Sequence, residues 1–295
     1  MANFSLEFIL FIWQLFGLFI IVLVHKIILY KRKHPVCSTM KSLNVIRITS
    51  VSCESPEVSI IIPAYNEANR IDTTLFSLLR FVEKSCLATE IVIVDDGSTD
   101  DTLERCYVIS TCYLSGNHNN LVSVTLAAST PNSGKGKALI AGLSLSTAPK
   151  ILLMDADGAT DLKEILRFKK LIGCSQVLCG SRKYSLQRRS FFRLFFSKAF
   201  RNLKGVFLGL TEIEDTQCGF KMLSRDVVET LMTHLKVEGW TFDIELILLS
   251  LAKGFDVKCI QVKWQDKSGS KLRPLEDIPT MVTDLCVLGT IYKLK

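Results

Sequence analysis

The sequence predicts an α/β fold built on a mostly parallel, doubly wound sheet, and three observations carry that expectation. Two short β-branched runs, Val58-Ser59-Ile60-Ile61-Ile62 and Glu90-Ile91-Val92-Ile93-Val94, are each stopped by a turn signal, Pro63 in one case and Asp95-Asp96-Gly97 in the other. Between them, residues 68–87 repeat apolar side chains at helical spacing through Ile71, Leu75, Leu78, Leu79 and Val82. Strand, helix and strand in that order make a βαβ unit with a right-handed crossover. Acidic clusters follow the strands, and open α/β sheets bind ligands in the crevice outside the strand C-termini.

The remaining elements extend the pattern. Residues 121–126 read as a strand, 136–145 as a helix, and Lys150-Ile151-Leu152-Leu153-Met154 as a strand ending at Asp155. Tyr65 to Glu67, Asp95-Asp96 and Asp155 to Asp157 are therefore expected to converge on one pocket although far apart in sequence.

A chain of 295 residues holds one full α/β core with short appendages, here a catalytic domain over residues 57–273. Residues 8–24 carry no charge and, as a helix, rise roughly 26 Å, close to the thickness of a thin bilayer. Glu7 precedes this run and Lys31-Arg32-Lys33 follows it, the reverse of a cleaved signal peptide. Residues 1–33 are thus expected to be an uncleaved single-pass transmembrane helix with a basic flank, the N-terminus lumenal and the following domain cytosolic. Residues 34–56, with Pro35 and Pro56, read as a linker. Residues 274–295 read as a membrane-apposed C-terminal helix, since the apolar stretch from 281 to 294 is interrupted by Asp284.

The net charge of +7 suits nucleic acid, an anionic membrane or a phosphorylated substrate. No nucleic-acid recognition motif is present, so nucleic acid is not an expected partner. The ten cysteines form no C-x-x-C pair and no grouped Cys/His spacing, so neither a zinc site nor a redox motif is signalled, and reduced, cytosol-facing thiols are the simplest reading. Nothing in the sequence specifies an oligomeric state.

Asp155-Ala156-Asp157 places two carboxylates on alternate residues past a strand end, an arrangement able to ligate a hard divalent cation, Mg²⁺ or Mn²⁺, that also grips a diphosphate. Alternating acids are also common in solvated turns. Asp95 and Asp96 offer acceptors to a base or ribose. Asn132 to Lys137 is a Gly-rich basic loop ahead of a helix, suited to phosphate through backbone N–H groups and Lys135 or Lys137, without the frame of a P-loop.

Taken together, Ile61-Ile62-Pro63-Ala64-Tyr65-Asn66-Glu67, Val94-Asp95-Asp96-Gly97-Ser98-Thr99-Asp100 and Asp155-Ala156-Asp157 resemble the donor segments of inverting family 2 glycosyltransferases, which have the GT-A nucleotide-sugar fold. The resemblance implies uridine contacts from Pro63, Tyr65, Glu67 and Asp96, and metal or diphosphate contacts from Asp155 and Asp157. Further motifs, Gly180-Ser181-Arg182, Asp215 to Lys221, Trp240 to Glu245 and Gly269 to Leu272, resemble those of the dolichyl-phosphate β-glucosyltransferases within that family. They imply an enzyme of the endoplasmic reticulum membrane that transfers glucose from UDP-glucose to dolichyl phosphate with inversion, giving a lipid-linked donor for protein N-glycosylation. The rival readings are another donor such as GDP-mannose, or a non-catalytic membrane adaptor on the same fold.

Under this resemblance Arg182, Lys221 and Lys271, with Arg193, are expected to bind the acceptor phosphate, and Trp240, Asp243 and Glu245 the sugar. In protein-only terms the same cations read as solvated surface charges, and Asp243 with Glu245 as the start of a helix. Asp157, Asp215 and Gln217 are the candidate catalytic residues. A phosphate monoester is largely a dianion near neutral pH, so Asp215 is assigned orientation of the sugar or of a cationic side chain rather than proton abstraction. Residues 190–208 place Phe191, Phe192, Phe195, Phe196, Phe200 and Phe207 on one helical face and Arg193, Lys198, Arg201 and Lys204 on the other, as in a helix lying on membrane lipids.

Overall fold

The computed structural model describes residues 6–33, 44–48, 55–116, 121–182, 213, 215–267, 269, 271 and 273–292. Eight strands form one sheet: β1 (Asn44–Ile48), β2 (Val58–Ala64), β3 (Thr89–Asp95), β4 (Val122–Ala128), β5 (Lys150–Leu153), β6 (Val177–Ser181), β7 (Lys221–Ser224) and β8 (Val257–Gln261). The helices are α1 (Leu6–Arg32), α2 (Ile71–Lys84), α3 (Thr102–Gly116), α4 (Lys135–Leu145), α5 (Lys163–Leu171), α6 (Arg225–Met232), α7 (Phe242–Ala252) and α8 (Pro274–Ile291).

The strand order is β1-β4-β3-β2-β5-β7-β6-β8. The four central strands β4, β3, β2 and β5 run parallel, β6 pairs parallel with β8, and β1 and β7 pair antiparallel with their neighbours. This is an α/β fold on a mostly parallel mixed sheet. Successive side chains of a strand point to opposite faces, and both faces here are covered, which is why β2 and β3 read as unbroken apolar runs. Ile60 and Ile62 pack with Leu75, Leu79 and Phe168 on one face. Ile61 packs with Ile140, Leu246 and Leu285 on the other.

The order in which strands are added reverses at β2, which has β3 on one side and β5 on the other. Ala64, Asp95 and Ala128 lie level at one end of their strands. Leu153 pairs with Ile61, so Asp155 leaves the sheet beside the Pro63–Ala64 end. The expected convergence of acidic strand ends is therefore present, at the point where a parallel sheet opens a crevice.

Two regions differ from expectation. Residues 44–48, inside the stretch read as a linker, form the edge strand β1 against β4; five residues without a buried face leave no alternation to read. Among the described residues no helix is long and apolar enough to cross a membrane, so the span expected at the N-terminus is not found there. The 27-residue α1 instead docks its C-terminal part on α8 and α7. Lys26 Nζ donates to Thr283 Oγ1 at 2.7 Å and lies 3.3 Å from Asp284 Oδ1, and Tyr30 donates to Glu245 Oε1 at 2.5 Å. Upstream of this contact α1 exposes Leu15, Leu18 and Ile21, the last at 66%. The predicted interfacial helix at 190–208, with Arg193, lies outside the described residues.

Candidate active site

One wall of the site is the turn after β2. Asn66 sits at φ +54°, a conformation Asn tolerates better than most residues. Its carboxamide oxygen accepts from the Thr99 N–H at 2.8 Å, while its own N–H donates to Ser98 Oγ at 2.9 Å. Glu67 is buried and forked by Arg70 through two 2.6 Å bonds. Burial pushes its carboxyl above the usual range, opposed by Arg70 and Lys271. Pro63 is the penultimate residue of β2, and Pro63 and Tyr65 are partly exposed beside this turn.

Asp95 and Asp96 have separate tasks. Asp95 accepts from the Ser98 N–H at 3.0 Å and from the Ser98 hydroxyl, closing its own turn. Asp96 binds the facing loop: Oδ1 accepts from the Ser129 hydroxyl at 3.1 Å and from the Ser133 N–H and hydroxyl at 3.0 Å each, and Oδ2 accepts from the Gly134 N–H at 2.7 Å. A carboxylate offers about four acceptor sites, so most of its capacity is taken by the loop that introduces Lys135. Gly97, at φ +72°, permits the approach, since a Cβ there would lie 2.8 Å from the Asn132 nitrogen.

At the centre Lys135 Nζ donates to Asp155 Oδ1 at 2.7 Å and lies 3.8 Å from Asp243 Oδ2. Asp243 Oδ1 accepts from Lys221 Nζ at 2.6 Å. Cation and carboxylate thus alternate through Lys221, Asp243, Lys135 and Asp155. Burial works to raise the Asp155 carboxyl, but Lys135, Arg182 and Lys221 outweigh it and hold the group below the usual range. Asp157 goes the other way: burial and then the charge of Asp155 raise it, against the Ala159 N–H bond at 2.9 Å. Gly219 lies against Asp155, where a Cβ would overlap Oδ2. Ala156, between the two acids, is buried.

The far wall carries Arg182 and Asp215, joined by 2.6 Å and 2.8 Å bonds from Nε and Nη2 and by the Arg182 N–H at 3.2 Å. The guanidinium also lies 5.5 Å from the Trp264 ring centre, within cation–π range. Burial raises the Asp215 carboxyl, but the Arg182 bonds and charge prevail and hold it below the usual range. Gln217 and Trp240 are partly exposed near this wall and α7.

Several expected residues sit elsewhere. Lys221 has no exposed surface, and its ammonium is held by Asp243 and the Cys218 carbonyl, 2.5 Å away; it supports the cleft from below and does not line it. Glu245 is likewise fully buried, accepting from Tyr30 and from the Lys236 and Val237 N–H groups on the side of α7 away from Asp243. Lys271 donates to the Asn66 carbonyl, at the turn after β2 rather than beside Arg182. The Lys137 ammonium has no protein partner among the described residues. Sequence reading missed Arg70, Trp264, Ser129 and Ser133, whose roles come only from contacts distant in sequence; Arg70 alone carried a local signal, three residues after Glu67.

Asp155 and Asp157 supply hard oxygen donors, which fits a divalent cation that completes its coordination with water and diphosphate oxygens. Among the described residues no cluster of three His, Cys, Asp or Glu side chains forms a closed metal cage.

The sequence matches Glycosyl transferase family 2 over residues 59–232. It is 34% identical over 252 residues to a mouse protein named dolichyl-phosphate beta-glucosyltransferase, covering 80% of this chain and 76% of that one. It is 31% identical over 255 residues to a protein of the same name from Saccharomyces cerevisiae, covering 80% and 75%. The fold is shared with glucosyl-3-phosphoglycerate synthase from Mycobacterium tuberculosis, solved with Mn²⁺ and uridine-diphosphate-glucose, at a TM-score of 0.59 and 15% identity, covering 81% of this chain and 80% of that one. With acidic strand ends meeting at the switch point of a GT-A-like sheet and relatives matched over four-fifths of its length, the chain belongs to glycosyl transferase family 2 and, within it, to the dolichyl-phosphate beta-glucosyltransferase family.

Proposed function

We propose that this enzyme transfers glucose from UDP-glucose to dolichyl phosphate with inversion, giving dolichyl β-D-glucosyl phosphate. The observation that carries the reading is the pairing of two walls across Asp155: a donor wall of Tyr65, Glu67 and Asp96, and a far wall where Arg182 is held by Asp215. The relatives' name supplies the acceptor, and the fold neighbour that binds uridine-diphosphate-glucose supports the same donor here.

The nucleophile in this reading is a phosphate oxygen of the acceptor, attacking the anomeric carbon in line while UDP departs. With a second pKa of about 6 the phosphate is largely a dianion at neutral pH, so no strong base is required. The state of Asp215 supports this, because a carboxylate clamped by Arg182 and held below its usual range is a poor proton acceptor. The side chains must instead hold two anions that repel each other and stabilise the leaving diphosphate. Arg182 orients toward the acceptor phosphate, Lys135 and Lys137 toward the diphosphate, and Glu67 and Asp96 fix the donor loops. Asp155 and Asp157 would hold a Mg²⁺ or Mn²⁺ ion, which when bound supplies charge neutralisation on the diphosphate.

A lipid acceptor calls for membrane attachment. We assign that role to α1, whose apolar residues Leu15, Leu18 and Ile21 are exposed and whose last turn is basic, with the catalytic domain on the cytosolic side of the endoplasmic reticulum membrane. The test is to incubate purified full-length protein with dolichyl phosphate, Mn²⁺ or Mg²⁺ and labelled UDP- and GDP-sugars. A lipid-linked β-glucoside formed from UDP-glucose is expected. Mannolipid from GDP-mannose alone would replace the donor assignment, and absence of any product would remove the enzymatic one.

A further inference from the structure

The Lys221, Asp243, Lys135 and Asp155 series contains a position where two cations claim one carboxylate. Lys135 Nζ is 2.7 Å from Asp155 Oδ1, and Asp155 is one of the two acids suited to a divalent cation. Asp155 is closed on one side by the Gly219 backbone and open on the other, and its Oδ1 is already taken by the ammonium. An ammonium and a divalent cation on the same carboxylate repel one another.

A second seat for the lysine is built in. Asp243 Oδ2 lies 3.8 Å from the same ammonium, and a shift of about 1 Å brings the pair to ordinary hydrogen-bond distance. The other Asp243 oxygen is already held by the buried Lys221, so Asp243 stays ionised and in place while Lys135 moves. Lys135 opens helix α4 just after the loop fixed by Asp96, which anchors its backbone while leaving the side chain able to swing.

We propose that Lys135 is an internal cation that competes with the divalent metal for Asp155, with Asp243 as its alternative seat, so that metal and nucleoside diphosphate bind cooperatively. A diphosphate draws the ammonium off Asp155 by offering it phosphate oxygens, and the freed carboxylate then takes the metal; by linkage each ligand raises the affinity for the other. The proposal rests on the metal reading of Asp155 and Asp157, and Lys135 acts in it as a positioning residue.

The test is Mn²⁺ binding followed by electron paramagnetic resonance on the full-length protein, with and without UDP. In the wild type, UDP is expected to tighten Mn²⁺ binding about tenfold or more. In Lys135→Met, Mn²⁺ alone is expected to bind about tenfold tighter than to wild type, with the UDP effect reduced beyond what loss of one phosphate contact explains. Asp243→Asn, which weakens the second seat, is expected to lower Mn²⁺ affinity while leaving the UDP effect in place. Unchanged Mn²⁺ affinity in Lys135→Met, with binding still abolished by Asp155→Asn, would overturn the competition while leaving the metal site standing. Mn²⁺ binding insensitive to both Asp155→Asn and Asp157→Asn would overturn the metal reading itself. Circular dichroism melts establish that each variant is folded before it is scored.

Discussion

Asp215 and Arg182 face each other as a two-bond fork, 2.6 Å and 2.8 Å, with the Arg182 N–H closing on the same carboxylate at 3.2 Å. A carboxylate so engaged holds a cation in position and has little capacity left for a proton. Asp157, by contrast, has only the Ala159 N–H as a protein donor among the described residues. Asp157→Ala is therefore expected to lower kcat by roughly a thousandfold, while Asp215→Asn retains measurable transfer, reduced by about 10- to 100-fold through a loosened Arg182. Steady-state assays with dolichyl phosphate separate the two. Equal and complete loss in both folded variants would assign proton abstraction to Asp215.

The same fork sets a pH dependence. The Asp215 value is lowered in the folded protein, so its contribution to stability is fully present above the unfolded value of about 3.9 and is lost as pH falls through the lower folded value. Urea unfolding between pH 6 and pH 3 is expected to show a steeper loss for wild type than for Asp215→Asn.

Gly219→Ala places a methyl group on top of Asp155 Oδ2. Because Asp155 is partly exposed on its other side, the carboxylate has room to turn out into the cleft, and global stability is expected to change by less than about 2 kcal/mol. Turnover is expected to fall at least 100-fold, on the order of the loss of one transition-state contact. A thermal melt and an activity assay on the same sample check both halves.

Glu245 separates binding from folding. Its carboxylate accepts from Tyr30 and from the Lys236 and Val237 N–H groups, and burial raises its value above the usual range. Glu245→Ala orphans these donors at a cost of about 2–4 kcal/mol. The KM for UDP-glucose in the folded fraction is expected to stay within about twofold of wild type. A rise in KM without loss of stability would return Glu245 to the sugar site.

The reasons some features are legible in the sequence and others are not lie in geometry. β2, β3 and β5 announce themselves because strands buried on both faces need unbroken apolar runs, and the carboxylates that matter follow them directly. β1 does not, because an edge strand of five largely exposed residues has no apolar face. Asp243 and Glu245 look equivalent in sequence, yet two residues in a helix are about 200° apart. One therefore faces Lys221 and Lys135 and the other faces α1. Lys221 misleads for a related reason: a lysine in an interior strand reads as surface charge unless its counter-ion, 22 residues later in α7, is known. The loop bound by Asp96 is likewise visible only when both strand ends are seen together.

The first turn of α7 also bears on how this protein can be handled in solution. Thr241 bonds Asp284 Oδ2 at 2.9 Å, Asp284 reaches Lys26, and Glu245 takes Tyr30, while Asp243 between them turns toward Lys221 and Lys135. A fragment trimmed to begin at residue 34 to improve its behaviour in detergent-free buffer discards both α1 partners and leaves a buried acid without its phenol. Retaining the helix from about residue 24 onward preserves the clasp while shedding most of the greasy surface. Trimming at that point is expected to keep Asp243 against Lys221 and Lys135, since the α7 contacts on either side of it stay intact.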